Sequence, residues 1–422
     1  MKVLWIVNVE LPDIALEFGR SVNIEGWLNV MSAQLAAQPD IEMYVACRCD
    51  RETYSRYEIK GVYYYSFSKS LYKKIEEIII DVKPDLIHIW GTECEHSFVA
   101  TCILEKLHLI EHTVVSIQGL VYILGKYHYI TGLPSKVVYA RTMAEFLFRS
   151  IYLNIADEQR NMISRGEKEL LILQKNKYCI GRTDFDYACI RQINPHIKYF
   201  HCNETLREGF YNKRWNIQKC KKHTVFFSQS HYPVKGVHIF IEALAIIKRK
   251  YPDVHVRIVG KNIFEKKSVK DKLVNRSYPK YLRKLIVQYN LRDCIEWLGQ
   301  QTEEEMIEQY CHSNVFVSAS LIENSSNSIG EAMLLGMPIV ASDVGGIKSL
   351  LEHNKEGILY QETAPYMLAD GVIRIFENDD LACQLGENAY KRACITHDRE
   401  KNISNLLGIY KSIAREGGCD EQ

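Results

Sequence analysis

Val315–Gly346 reads VFVSASLIENSSNSIGEAMLLGMPIVASDVGG. An apolar strand, Val315–Ser320, gives way to a loop of Ser and Asn, then to an apolar helix at Glu331–Leu335 and a second strand, PIVAS. Strand, crossover helix and strand make a βαβ unit, the building block of a parallel sheet. In an open sheet of that kind ligands sit beyond the carboxyl ends of the strands, so the loop ahead of the helix is the place to look for chemistry.

The same rhythm extends in both directions. Upstream, HTVFFSQS (His223–Ser230), VHVRIVG (Val254–Gly260) and CIEWLG read as strands, alternating with the helical patterns VHIFIEALAIIKRKY, YLRKLIVQYNL and TEEEMIEQYCHS. The last of these carries a Thr suited to capping its N-terminus. A first series occupies the other half of the chain. KVLWIVNV (Lys2–Val9) is a continuous apolar strand, Gly26 opens the helix WLNVMSAQLAAQ, and IEMYVACR, PDLIHIW and HTVVSIQG are further strands. Residues 129–177 turn helical, with Arg141, Arg149, Arg160 and Arg165 among apolar residues, and 206–223 reads as a basic linker. Arg399–Ala414 predicts an amphipathic helix.

In the loop, the backbone N–H groups of Ser326, Asn327 and Ser328 lie at a helix N-terminus, an anion site suited to a diphosphate. Glu323 and Glu331 flank it, and a carboxylate accepts hydrogen bonds from vicinal hydroxyls such as those of a sugar or a ribose. Acids near a helix start are commonly no more than partners of the helix dipole. Phosphate donors flanked by diol acceptors instead describe a nucleotide-sugar site.

These residues resemble the signature of the retaining glycosyltransferases of family 4 (group 1), which have the GT-B fold. The resemblance rests on Glu323-x7-Glu331 with EAMLLGMPIVASDVGG, on GQQTEEEMIEQYCHSNVFVSAS before it, and on PVKGVHIFIEALAIIKRKYPDVHVRIVG further upstream. It covers the C-terminal half nearly throughout and the N-terminal half weakly. It implies an α/β GT-B architecture of two doubly wound Rossmann-like domains facing a cleft. Residues 1–215 would bind the acceptor and 216–398 the nucleotide-sugar, with a C-terminal helix, 399–422, packing back on the first domain.

The same resemblance implies roles. Glu331 would hold the ribose hydroxyls, Glu323 the transferred sugar and Lys235 the diphosphate, with Gly236 letting the chain approach it. Gly26 would face the diphosphate from the other domain. An ammonium suits this chemistry because the leaving nucleoside diphosphate gains negative charge in the transition state. Two departures stand out. FSQSHYPVKG lacks the Arg the family carries before the Lys, with Arg182 a candidate replacement, and Gln118 stands where the family often has His. His128 and His88 are the nearby imidazoles, although His88 in LIHIW fits a packed strand histidine.

The activity implied is an EC 2.4 hexosyltransferase moving sugar from a UDP- or GDP-sugar to a hydroxyl of a sugar or lipid-linked acceptor, in bacterial surface polysaccharide or glycolipid synthesis. No cofactor and no metal are implied. A nucleotide-sugar epimerase of the same fold leaves Glu-x7-Glu unexplained, and a catalytically silent nucleotide-sugar-binding protein is the alternative outside enzymes. An NAD-dependent dehydrogenase fails because VNVELPDIALEFG lacks G-x-G-x-x-G.

Bulk properties agree with a protein of two domains: 422 residues exceed the size at which one core keeps growing. A net charge of +1 gives no overall drive toward nucleic acid or anionic membrane, while local basic patches leave peripheral contact with the inner face of a membrane open. Thirteen scattered cysteines with no C-x-x-C predict reduced thiols and a cytoplasmic protein. No apolar run reaches the roughly 18 residues of a membrane span.

Overall fold

The computed structural model describes residues 1–20, 26–49, 54–68, 71–141, 143–147, 154–264 and 277–417. The chain forms two compact units. The first comprises residues 1–122, 165–208 and 396–422, and the second 123–164 and 209–395. The sequence reading kept 123–164 with the N-terminal domain; in the structure this segment clusters with the second unit. Gly132 shows why: its Cα lies so close to His238 and Ile239 of the second unit that a Cβ would stand 2.9 Å from the imidazole.

The first unit is built on a sheet of eight strands: β1 (Lys2–Val7), β2 (Glu42–Arg48), β3 (Tyr57–Ile59), β4 (Val62–Phe67), β5 (Leu86–Trp90), β6 (Thr113–Ser116), β7 (Tyr178–Gly181) and β8 (Lys198–His201). Their order is β3-β4-β2-β1-β5-β6-β7-β8, and only β3 runs antiparallel to its neighbour. Strands in the middle of such a sheet are covered on both faces, which is why β1 is a run of Val, Leu, Trp and Ile rather than an alternation. The helix Arg399–Gly417 belongs to this unit. Its buried Tyr410 hydroxyl accepts from Trp5 Nε1 at 2.9 Å and lies 2.6 Å from His88 Nδ1. His88 Nε2 pairs with Ser116 at 2.6 Å, so this imidazole is a fully engaged core group, its pKa driven down by burial.

The second unit carries a parallel sheet of β9 (Lys221–Phe227), β10 (His255–Val259), β11 (Ile295–Gly299), β12 (Ser313–Ser318), β13 (Ile339–Ser342) and β14 (Ile358–Tyr360), in the order β11-β10-β9-β12-β13-β14. The predicted cap on TEEEMIEQYCHS is present: Thr302 accepts from Glu305 N, and the Glu305 carboxylate accepts from Thr302 N. Among the described residues no helix is long and apolar enough to cross a membrane.

Candidate functional site

β9 and β12 are neighbours at the centre of the second sheet, and the loops leaving their carboxyl ends hold the residues singled out in the sequence. After β9 the chain makes a short turn at Pro233–Lys235 and then places Gly236 in the left-handed region, at φ 68°. A Cβ there would stand 1.8 Å from the Ala319 carbonyl oxygen, so only glycine fits. That close approach lays the turn against the end of β12, where Leu321 N donates to Val234 O at 2.7 Å.

Glu323 is the meeting point of three loops. Its Oε1 accepts from Lys235 Nζ at 2.5 Å and from Ser320 Oγ at 2.7 Å. Its carbonyl oxygen accepts from Gly346 N at 3.0 Å, in the loop after β13. Gly345, at φ 49°, passes so near that carbonyl that a Cβ would come within 2.1 Å. The Lys235 and Glu323 side chains keep 23% and 15% exposure, so the pair is neither solvated nor sealed.

The helix after β12 runs from Asn327 to Leu335, starting four residues earlier than the sequence suggested, because NSIG joins it. Ser326 precedes its first turn and spends its hydroxyl on Ser328 Oγ, 3.0 Å away, rather than on a backbone N–H. Glu331 therefore sits in the second turn, 5% exposed. Tyr310, from the preceding helix, donates to Ser328 O at 2.9 Å and lies 3.5 Å from Glu331 Oε2. The cavity beside these loops is lined by Lys235, Glu323 and Ser328 together with the ends of β9 and β12.

Lys235, Gly236, Glu323, Ser326, Asn327, Ser328 and Glu331 are thus brought together. Two further groups lie beside them. His231 is pushed down to about 4, first by burial and then by the charges of Lys235 and Lys261, so it is neutral near pH 7. Its Nδ1 and the buried Ser230 hydroxyl have no partner among the described residues. Lys261, the residue after VHVRIVG, places a second ammonium close enough to act on His231. Its place after a glycine-ended strand was the signal in the sequence.

The remaining candidates lie elsewhere. Gln118 and Arg182 belong to the first unit, where the Gln118 amide donates to Glu204 at 2.8 Å and Arg182 pairs with the same carboxylate. Arg182 also donates to Gln118 Oε1 at 3.4 Å. This guanidinium, 5% exposed, is engaged with Glu204, whose pKa is raised by burial and held back by Arg182 and Gln118. Gly26 opens the helix Gly26–Ala36, and a Cβ there would make only an ordinary 3.5 Å contact with Arg207. The turn residues before it, 21–25, lie outside the described residues. His128 belongs to the second unit, its pKa lowered by burial and lifted by Glu362. One group in the first unit went unnoticed: Glu169, buried, accepts from Thr92 Oγ1 at 2.7 Å and from Tyr122 N at 3.0 Å, and burial pushes it up to about 8.

Two parallel-sheet Rossmann-like units of this composition define the GT-B fold. Residues 211–392 match the family model described as glycosyl transferases group 1. Over its full length the chain resembles the sucrose-phosphate synthase of Thermosynechococcus elongatus, with a TM-score of 0.71 and 16% identity, covering 98% of this chain and 99% of that one. It also resembles Anabaena HepE in complex with UDP-glucose, with a TM-score of 0.67 and 14% identity, covering 98% and 100%. In sequence it is similar to the D-inositol 3-phosphate glycosyltransferase of Corynebacterium urealyticum, 24% identical over 186 residues, 43% of this chain and 41% of the relative. The chain matches less than half the length of this and other curated relatives. Together these findings support the GT-B class of group 1 glycosyltransferases.

Proposed function

We propose that the protein is a retaining glycosyltransferase of family 4 that transfers a sugar from a UDP- or GDP-sugar to a hydroxyl acceptor, in the assembly of a surface polysaccharide or glycolipid. One observation carries the reading. The Lys235 ammonium is held 2.5 Å from Glu323 beside a helix whose first turn presents Asn327 and Ser328, with Glu331 one turn further on.

In this reading the donor's ribose hydroxyls donate to Glu331, and its diphosphate lies over the N–H groups of the helix start. Glu323 exchanges Lys235 for hydroxyls of the transferred sugar, which releases the ammonium to the diphosphate. As the bond from the anomeric carbon to phosphate oxygen breaks, charge builds on the leaving diphosphate and Lys235 stabilises it. Lys261 supplies the second cation that Arg182, engaged with Glu204, does not. The acceptor oxygen bonds to the same face of the anomeric carbon, and its proton passes to the departing phosphate oxygen. No enzyme carboxylate serves as nucleophile, in contrast to retaining glycosidases. No metal or organic cofactor enters this scheme. The test is release of free nucleotide from UDP- and GDP-sugars with and without acceptor extracts. Binding without turnover under every acceptor would favour the silent binding protein instead.

The acceptor class bears on location. Residues 121–156 contain Lys126, Lys136, Arg141 and Arg149 against a single acid, Glu145. The same segment exposes Tyr127, Tyr139, Met143, Phe146 and Leu147, each by 60% or more. Apolar side chains among cations suit an anionic bilayer surface, and peripheral contact there is part of the proposal. Arg141 and Arg160 are tied to Asp157.

A further inference from the structure

A second hollow, of about 820 Å³, opens at the carboxyl ends of β13 and β14, within the size range of ligand sites (roughly 300–1,000 Å³). It is joined to the site above by a short bridge. Asp343 lines the hollow and donates its N–H to Tyr360 O at 2.7 Å, and three residues later Gly346 donates to the Glu323 carbonyl.

The lining is of both signs. Lys348 pairs with Asp343 at 3.0 Å, Glu352 pairs with Lys355 at 2.8 Å, Arg392 donates to Ser349 O at 2.9 Å, and Glu362 lines the same hollow. His353 Nδ1 accepts from Leu359 N at 3.0 Å, which leaves the ring proton on Nε2 as a donor. Tyr360, 1% exposed, is among the lining residues, and its buried hydroxyl has no partner among the described residues. At the rim, Met367 is half exposed, an apolar surface beside the polar wall.

This chemistry sorts ligands. An anion such as a phosphate would meet three carboxylates, and a cation would meet Lys348 and Arg392. A purely apolar ligand would strand all of them. A neutral molecule with many hydroxyls satisfies donors and acceptors together and lays its C–H face on Met367.

We propose that this hollow is a saccharide-binding subsite for a neutral oligosaccharide, next to the sugar end of the donor site. The assignment deepens the glycosyltransferase reading and rests on it for its purpose, but not for its binding test.

The test uses the full chain on an array of neutral and of phosphorylated oligosaccharides, followed by titration of the strongest neutral glycan. The variants are Glu362→Gln and Met367→Ala, both lining the hollow. The first is expected to weaken the glycan about tenfold, the scale of one hydrogen bond to a charged group, and the second to weaken it through lost apolar contact. UDP and GDP titrations are expected to be unchanged in both. Retention of no neutral glycan, preference for phosphorylated ones, or equal affinity in wild type and both variants would overturn the subsite. So would loss of the glycan in Glu331→Ala with retention in the hollow variants, which would place it in the donor site. If the wild type binds the glycan but neither nucleotide, the donor reading fails while the subsite stands.

Discussion

Replacing Glu323 by Gln is expected to tighten binding of a nucleoside diphosphate and to lower sugar transfer. In the free protein Lys235 Nζ lies 2.5 Å from Glu323 Oε1, so a diphosphate must compete for its own counter-ion. At an effective dielectric of about 20, two charges some 4 Å apart attract by about 4 kcal/mol before costs. Desolvation and side-chain ordering offset most of this. With side chains 23% and 15% exposed, the net falls between a solvated pair, roughly 0.2–1 kcal/mol, and the 3–5 kcal/mol lost on breaking a buried one. About 1–2 kcal/mol is the reasonable middle, or roughly 5- to 30-fold in affinity. Gln keeps an oxygen for the Ser320 hydroxyl, now 2.7 Å from the carboxylate, so the loop is expected to hold its shape. Calorimetric titration with UDP and GDP, with uridine and guanosine as controls, measures the effect. The diphosphates are expected to gain and the nucleosides to stay level, while turnover of the nucleotide-sugar falls. Diphosphate affinity that is unchanged or weaker, in a variant that melts like the wild type, would refute the counter-ion argument.

Lys235→Met is expected to weaken a nucleoside diphosphate about 10- to 100-fold while sparing the nucleoside, as loss of charged hydrogen bonds requires; equal losses for both would count against the phosphate role. Glu331→Ala is expected to abolish nucleoside as well as nucleotide binding in the same titrations. Gly236→Ala forces a left-handed residue and a Cβ 1.8 Å from the Ala319 carbonyl, so a loss of roughly 3 kcal/mol and a fall in Tm of several degrees are expected by calorimetry. Glu169, raised to about 8 by burial, binds a proton in the folded state that the unfolded chain has already released. Its contribution to stability is therefore full at low pH and is lost as pH rises from the ordinary carboxylate range through about 8. Glu169→Gln is expected to flatten that part of a Tm-against-pH profile, and an unchanged slope would exclude Glu169 as its source. Phe146→Ser with Leu147→Ser is expected to reduce co-sedimentation with anionic but not neutral vesicles, and no change would remove this segment from the membrane proposal.

Which parts of the site were legible follows from where each contact is written in the chain. Glu323, Ser326–Ser328 and Glu331 lie within nine residues on one strand–loop–helix, so periodicity alone placed them at a helix start. Gly236 was legible as a glycine after a lysine, but its reason, the Ala319 carbonyl, lies 83 positions away and belongs to tertiary structure. The Lys235–Glu323 pair is equally non-local. Nothing in either segment says that the ammonium and the carboxylate meet, because the pairing of β9 with β12 is set by three intervening crossovers. Unit membership failed for the same kind of reason. Residues 123–164 are continuous in sequence with the first series of strands, yet Gly132 makes its close approach to His238 in the second. The hollow at β13 and β14 was invisible from the sequence altogether, since its charges come from segments as far apart as Asp343 and Arg392 and none forms a motif. Local motifs thus expose the groups that hold a donor through backbone geometry. Groups that act by pairing across loops, Lys235 with Glu323 above all, emerge only once the sheet has ordered its strands, and the competition between that pair and a diphosphate is where the fold acts on the chemistry.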